Sequence, residues 1–303
     1  MIRSRGSAIV AALLVVALVA VIGGRVLMVQ GMSINQSEAR DDYDIARETA
    51  SAGLHWARAI LYDDGRRSST DHLGEAWAQP MPPTVVGEAT VSGFIEDAQG
   101  RFNLNSLAVK GKIDPLALAV FARLLSNLSL PSDLADSAAD WIDEDDELIS
   151  QNSAESGDYL GLQPPYRPSG LPYGSVEELL RVRGFSPTML EKLRPFVIAL
   201  PMPAPVNINT ASPELLSALV PSLSPGDAGR IAAERERSPF KSTAEFLDRV
   251  PGVRSDQMPP LAVQSQFFLV SGSVRQSNTH YQVASLLQRQ ESRWPRIVWQ
   301  MPQ

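Results

Sequence analysis

The first 61 residues of this chain carry two successive patterns of apolar residues. Every residue from Ala8 to Ile22 is apolar, and no charge occurs between Gly6 and Gly24. From Ser37 to Leu61, three- and four-residue steps instead connect Ile45, Thr49, Ala52, Trp56, Ala59 and Ile60. Such a stripe is typical of one face of an amphipathic helix. We predict one long helix, apolar in its first half and amphipathic in its second, which the turn-forming residues 63–69 end.

Segments with strand character lie on both sides of a central helical region. Residues 84–97 have the composition of two short strands around a turn, and residues 266–274, 281–288 and 296–300 resemble strands near the other end. The pattern predicts an α+β fold, in which the long helix packs against an antiparallel sheet. The sheet domain is expected in two parts, 32–101 and 261–303, with a large helical domain inserted at 102–260.

The predicted insertion contains an internal repeat. Residues 102–107 match 206–211, and residues 177–185 match 245–253 in the same order. Each unit begins with Asn, an apolar residue, Asn, and Ser or Thr, whose short polar side chains favour helix entry. Each ends in a Glu-led helix closed by Gly184 or Gly252. We predict two units, 102–200 and 206–260, of the SAM-like or helix-hairpin-helix-like type, the first with about 36 extra residues.

Those extra residues are strongly acidic. Between Leu124 and Tyr166 there is no Lys, Arg or His, and ten Asp or Glu residues occur. Carboxylates without accompanying His or Cys favour calcium over zinc. The candidate metal ligands are Asp140, Asp143, Asp145, Glu155 and Asp158. The segment is not an EF-hand, because Leu148 and Ala154 stand at the sixth and twelfth loop positions.

A solvated acidic loop is the alternative for this segment, since runs of charge usually lie on the surface. The residues Trp141, Ile142, Tyr159 and Leu160 stand among the acids. Large apolar side chains in such positions indicate a packed loop, whose carboxylates then require a partner.

The N-terminus carries a basic head before its apolar run. Arg3 and Arg5 favour a cytoplasmic N-terminus, and residues 7–31 are long enough to cross a bilayer. The lone Gly6 precedes the apolar core, as in a prepilin-type signal cut between Gly6 and Ser7 after a leader of residues 1–6. A plain signal anchor is the alternative. The predicted membrane helix includes Ala8, Val10, Ala11, Leu14, Leu18 and Ile22.

Composition excludes some classes of protein. The chain has 303 residues, no cysteine and a formal net charge of −7. Disulfides and a lipidated cysteine are therefore impossible, and a nucleic-acid partner is disfavoured. Only three His residues and no Gly-x-Ser-x-Gly motif occur, so we predict that the protein is not an enzyme.

A membrane-anchored DNA-binding protein is the alternative function. Residues 224–231 approximate the hairpin of helix-hairpin-helix proteins, whose amides hold phosphate near a helix start. Asp227 stands where that motif has an apolar residue, and Glu214, Glu234 and Glu236 surround it with negative charge. The repeat is better interpreted as a packing and protein-contact module.

The whole chain resembles the protein K family of bacterial type II secretion systems, the minor pseudopilin K. The resemblance is carried by the Gly6/Ser7 junction, 95–107, 140–146, Ala154, Glu155, Tyr159 and 206–211. It implies a pilin fold with an inserted helical domain and calcium bound within that insertion. It also implies a subunit that caps the pseudopilus tip and helps to initiate pseudopilus assembly, so that folded periplasmic proteins are exported across the outer membrane.

The same resemblance implies partners and a location. The partners are minor pseudopilins I and J, the major pseudopilin filament, the inner-membrane assembly platform and the prepilin peptidase, with an exported protein or the outer-membrane secretin as further contacts. The expected location is the bacterial inner membrane, crossed once, with the soluble domain in the periplasm. N-methylation of the new N-terminus is a family property, and Ser7 stands there in place of the usual Phe.

Overall fold

The computed structural model describes residues 5–250, 258–291 and 293–303 and confirms the predicted α+β class. A long N-terminal helix packs against a five-stranded antiparallel sheet, and a helical region is inserted between two neighbouring strands. Residues 1–4 of the predicted leader and Gly252 of the second repeat unit lie outside the described residues. The side chains of Ser7, Ala8, Val10 and Ala11 also lie outside them.

Helix α1 spans Arg5–Arg67, a length of about 95 Å at 1.5 Å per residue. It is therefore one uninterrupted helix, as the two patterns predict, and it continues six residues past Leu61. In the second half, one face packs on the sheet through Ala46, Ala50, Leu54, Ala57 and Leu61.

The prediction of which face of this half is buried was wrong, because the buried residues lie about one position further along the helix than the predicted ones. Ile45 and Trp56 are 46% and 55% exposed, and the predicted stripe flanks the buried one. The buried face is made largely of alanine, since small side chains let the helix approach the sheet closely. A pattern ranked by hydrophobicity favours Ile and Trp over Ala and therefore selects the neighbouring face.

The sheet consists of a hairpin and a three-stranded meander. The hairpin pairs β1 (Met81–Val86) with β2 (Ala89–Asp97), at the site of the two predicted short strands. The other strands are β9 (Phe267–Gln276), β10 (Thr279–Gln290) and β11 (Arg293–Pro302), in the spatial order β1-β2-β9-β10-β11. All neighbours are antiparallel, so the three predicted C-terminal strands are confirmed.

The inserted region leaves the sheet after β2 and returns before β9. Near the start of β2, Ala89 and Val91 pack with Ala46 and Ala50 of α1, whereas Ile95 packs with Leu61. The insertion therefore leaves the sheet at the end that lies beside the C-terminus of α1. This is the end farthest from the apolar first half of the helix.

Short helices and two-residue strands form the inserted region. The helices are α2 (Pro115–Asn127), α3 (Leu134–Asp140), α4 (Ser156–Leu160), α5 (Pro187–Leu193), α6 (Pro213–Leu219), α7 (Pro225–Arg237) and α8 (Thr243–Asp248). The strands are β3 (Phe102–Asn103), β4 (Ala108–Val109), β5 (Lys112–Ile113), β6 (Val197–Ile198), β7 (Val206–Asn207) and β8 (Leu261–Ala262). Buried side chains from the whole region form one apolar core.

The repeated Asn residues have the same structural role in both units. The Asn105 amide donates to the carbonyl of Tyr173 at 2.9 Å and accepts from the amide of the same residue at 2.6 Å. Asn209 makes the same pair of bonds to Phe240, at 3.0 and 2.9 Å. Each Asn follows a two-residue strand in a parallel pair, β3 with β6 and β7 with β8. The sequence repeat therefore reflects a repeated backbone clamp.

A buried polar group joins the insertion to the sheet. Asp97, at the end of β2, accepts hydrogen bonds through Oδ2 from Asn207, Thr210 and Ser265, at 2.8, 2.6 and 2.7 Å. These partners belong to the second unit and to the segment that leads into β9. A buried carboxylate that accepts several bonds restricts the relative positions of its neighbours. The second unit is thus fastened directly to the sheet.

Candidate metal centre

Three predicted metal ligands meet where α3 ends and α4 begins. Asp140 is the last residue of α3, and Asp143 lies in the irregular chain that follows. Glu155 is the residue directly before α4. The apolar face of α3 packs into the insertion core, which draws the end of the helix and its carboxylate into the interior.

The three carboxylates are close together and almost fully buried. One oxygen each of Asp140, Asp143 and Glu155 lies within 4.8 Å of the others. The residues are only 1%, 3% and 6% exposed. This arrangement resolves the alternatives for the acidic segment in part, because these acids are not a solvated surface cluster.

Most of the oxygens in this group have no hydrogen-bond partner. Asp140 Oδ1, both oxygens of Asp143 and Glu155 Oε1 are buried without one. The contact from the Ile149 amide to Asp140 Oδ2 is long, at 3.4 Å. Buried acceptors usually have partners, and an uncompensated buried charge is strongly unfavourable. Several hard oxygens of this kind, with no His or Cys among them, fit a bound calcium ion.

Burial raises the pKa of all three carboxyl groups, and repulsion among the acids adds to the shift. The pKa rises to about 6 for Asp140, to about 7 for Asp143 and to about 8 for Glu155. Without a cation, the folded site therefore retains protons that the same groups in the unfolded chain have lost.

We expect the protein in chelator to be more stable at pH 5 than at pH 8. Because the three pKa values lie above their ordinary 3.8 or 4.5, the folded state binds more protons, and the free energy of unfolding falls as pH rises through this window. Melting temperatures in EGTA across this range test the prediction. Burial also raises the pKa of Asp64 and Asp97, so these groups contribute to the same pH dependence. The Asp143→Asn variant should show a smaller change of melting temperature with pH, and the difference from the wild type is the contribution of the carboxylate group. A wild-type profile that rises with pH would contradict it.

Asp145 and Asp158 lie outside this group of close oxygens. Asp145 is exposed and accepts a hydrogen bond from the Glu147 amide at 2.9 Å. Asp158 forms an ion pair with Arg183 at 2.6 Å, and its other oxygen accepts from the Glu155 amide at 3.3 Å. Asp158 therefore orients the backbone of a group member. Their roles as ligands remain predictions.

The aromatic residues among the acids form a packed cluster, as predicted. Trp141, Ile142 and Tyr159 are buried, and the rings of Trp141 and Tyr159 meet edge to face with centroids 5.3 Å apart. Leu160 is the exception, because it is exposed on α4.

The sequence patterns did not indicate a second acidic group, which lies where the end of α1 meets β10. Asp64, Asp71 and Glu75 bring carboxylate oxygens within 4.8 Å of one another, beside Arg289. Arg289 donates to Asp64 at 2.9 Å and also to the buried Asp71. These residues come from the end of α1, the following loop and β10. No spacing in the sequence connects such distant segments.

The hairpin-like segment carries an acid at its helix start. Ser224 caps α7 by accepting from the Asp227 amide at 3.1 Å. The carboxylate of Asp227 accepts from the Ser224 hydroxyl at 2.7 Å and pairs with Arg230 at 2.8 Å. The position that would receive a phosphate is thus next to a negative charge.

The first half of α1 exposes large apolar side chains, including Leu14, Leu18 and Ile22. Within the residues that the structure describes, no helix has the length and apolar character required of a membrane span.

Models of one protein family match the inserted region of the chain. Two models, both described as type II secretion system protein K, match residues 100–202 and 206–264. Together they span more than half of the chain. The boundary between them falls between the two repeat units.

Full-length relatives are similar over nearly the whole chain. Type II secretion system protein K of Pseudomonas aeruginosa is 36% identical over 94% of this chain and 88% of the relative. The Klebsiella pneumoniae protein of the same name is 31% identical over 95% of this chain and 93% of its own.

The fold also resembles a solved structure. A chain in the crystal structure of the GspK-GspI-GspJ complex from the enterotoxigenic Escherichia coli type 2 secretion system has a TM-score of 0.77. The match covers 88% of this chain and 99% of the other at 23% identity, so it supports the fold.

Proposed function

This chain belongs to the type II secretion system protein K family and is a minor pseudopilin, and we propose that it caps the pseudopilus tip and helps to start pseudopilus assembly. Its contribution to the export of folded periplasmic proteins would be structural and positional.

The observation that carries this proposal is where the insertion leaves the pilin-like body. The insertion leaves the sheet between β2 and β9, beside the C-terminal end of α1 and opposite the apolar half of that helix. If the apolar half enters the filament or the membrane, the bulky domain points away from it. A further subunit stacked on this end would have to displace the insertion, which suits a subunit at the tip.

The residue at the fifth position after the predicted cleavage supports the same role. It is Ala11. The resemblance to pilin-like subunits implies a Glu at this position, which would meet the N-terminal amine of a neighbour. A buried carboxylate without that partner would be unfavourable. Its absence suits a subunit with no neighbour above it.

Minor pseudopilins I and J are the proposed direct partners. The GspK relative was solved in a complex with GspI and GspJ. In this proposal the tip complex then joins the major pseudopilin filament and the inner-membrane assembly platform, and the tip meets an exported protein or the secretin.

We also propose that α1 anchors the subunit in the inner membrane before assembly, with the soluble part in the periplasm. The support is the uncharged run after Gly6, the basic residues before it and the exposed apolar side chains of the first half of α1. The prepilin peptidase would remove the leader after Gly6, and N-methylation would follow at Ser7.

Calcium is the proposed resident cation. Asp140, Asp143 and Glu155 would hold it, because their buried oxygens lack other partners. A bound calcium ion supplies positive charge that replaces retained protons and offsets the repulsion among the carboxylates. The residues then fix the chain between α3 and α4, and so brace the first unit of the insertion.

Gold-labelled antibody raised against the insertion tests the tip position on isolated pseudopili. We expect one label at one end of each filament, whereas antibody against the major pseudopilin should label the whole shaft. Label from the insertion antibody along the shaft would contradict a tip role.

A further inference from the structure

A cleft in the first unit is lined in part by Trp141, which stands between Asp140 and Asp143 of the proposed calcium site in the sequence. It has a volume of about 580 Å³, and Trp141, Tyr166, Leu180, Arg167, Arg181 and Glu178 line it. The side chains come from the end of α3, the irregular segment after α4 and the single-turn helix Val176–Arg181.

Part of the cleft lining is aromatic and aliphatic. The ring of Trp141 meets Tyr166 edge to face with centroids 6.1 Å apart, and the Tyr166 hydroxyl donates to the Arg181 carbonyl at 2.9 Å. Leu180 is 45% exposed and Tyr166 is 36% exposed. Exposed large apolar side chains that line the same cleft favour the binding of another molecule.

The same lining carries positive charge from Arg167 and Arg181. Within the described part of the chain, the exposed guanidinium groups of Arg167 and Arg181 make no hydrogen bond and no ion pair. The neighbouring Arg183 and Arg194, by contrast, pair with Asp158 and Glu177. Glu178 is the acid that faces the cleft, and its Oε1 accepts from the Gly174 amide at 3.0 Å. The cleft is therefore net positive on a protein whose net charge is −7.

We propose that this cleft binds an extended peptide segment of a partner protein, one that carries both carboxylate and apolar side chains. The carboxylates would meet Arg167 and Arg181, and the apolar side chains would cover Leu180 and the exposed part of Tyr166. Apolar contacts supply affinity at an interface, and complementary charge adds steering and specificity. The proposal rests on the tip role, because it requires the insertion to face other proteins.

The backbone connects the cleft to the carboxylate group. Trp141 stands between Asp140 and Asp143, and its carbonyl accepts from the Gly170 amide at 3.1 Å. The segment that carries Arg167 is thus attached to the chain that the proposed calcium ion would brace. Peptide binding should for this reason be measured both in calcium and in chelator.

The test uses the full-length protein in detergent and fluorescein-labelled eight-residue peptides. One peptide alternates Glu and Leu, a second alternates Lys and Leu, and a third alternates Glu and Ser. We expect the Glu/Leu peptide to bind at least tenfold more tightly than either of the others, measured by fluorescence anisotropy. Its affinity should fall as NaCl is raised, because exposed charges are screened.

Two double variants complete the test. Arg167→Gln with Arg181→Gln should weaken binding of the Glu/Leu peptide at least fivefold at low salt, whereas Arg237→Gln with Arg275→Gln, which remove exposed charges away from the cleft, should leave it unchanged. Equal binding by the wild type and the first double variant, or no binding of the Glu/Leu peptide in either condition, would overturn the proposal. Antibody labelling of the insertion at one end of isolated pseudopili, together with no binding of the Glu/Leu peptide, would show that the cleft proposal has failed while the tip role stands.

Discussion

Saturating calcium should raise the melting temperature of this protein by about 5–10 °C over its value in chelator at pH 7.5. A ligand at 100 times its Kd stabilises the folded state by about 2.7 kcal/mol, and a chain of this size shifts by roughly 2–4 °C per kcal/mol. The physical cause is the group formed by Asp140, Asp143 and Glu155, whose oxygens are buried without partners. Differential scanning calorimetry of the full-length protein in detergent, with excess calcium and then with EGTA, measures the shift.

The Asp143→Asn variant tests whether the calcium-dependent shift depends on this carboxylate group. In calcium it should lose most of the shift, because one ligand charge is gone. In EGTA it should melt at or above the wild-type temperature, since a neutral amide removes one repelling charge from a buried site. Asp133→Asn is the matched control, because Asp133 is exposed before the start of α3 and outside the group. It should leave both melting temperatures unchanged.

Variants of the two outlying acids decide whether they take part. Asp145→Asn should reduce the calcium shift only if the exposed carboxylate closes over the ion. Asp158→Asn also breaks the ion pair with Arg183, which changes the melting temperature even without calcium. The change measured in EGTA is therefore subtracted from the change measured in calcium. Identical wild-type melting in calcium and EGTA would contradict the calcium proposal.

Replacing Gly6 with Val should block maturation and secretion together. Residues 1–6 should then remain on the protein. A β-branched side chain next to the cleaved bond limits the backbone conformations that the peptidase can bind, whereas Gly allows them. Mass spectrometry of the membrane-bound protein measures leader retention, and export of a reporter enzyme measures secretion. We expect export to fall to the level of a strain without the protein.

Gly23→Ala is the matched control for the Gly6 variant. A Cβ built at Gly23 meets no atom within 4 Å, so the substitution fits the helix. It should be cleaved and should support secretion. Normal secretion by an uncleaved Gly6→Val protein would contradict the proposed maturation.

Local patterns were sufficient for much of the fold. The uninterrupted α1, the hairpin at 81–97 and the three C-terminal strands all follow from residue periodicity and turn residues. The Asn residues at matching positions also indicated the internal repeat, because Asn105 and Asn209 each make the same buried hydrogen bonds to the backbone of a distant residue. Such features depend on contacts that a short stretch of sequence specifies.

The candidate site was predictable in composition but not in geometry. The absence of basic residues and the apolar residues among the acids pointed to a packed acidic segment. Which acids meet depends on how α3 packs, and that packing buries Asp140 and Asp143 while leaving Asp145 exposed. In an irregular loop, sequence spacing does not determine which side chains point into the interior. Spacing alone therefore did not distinguish the buried acids from the exposed one.

Residue patterns were enough to predict the class of fold, the division of the long helix into an apolar and an amphipathic half, and an acidic segment in the first repeat unit. Three features became visible in the folded chain alone: alanines form the face of α1 that packs on the sheet, Asp140, Asp143 and Glu155 meet, and Arg289 joins Asp64 to Asp71. Periodicity records the preference of each residue for an element, whereas burial and charge pairing depend on which distant segments the fold brings together.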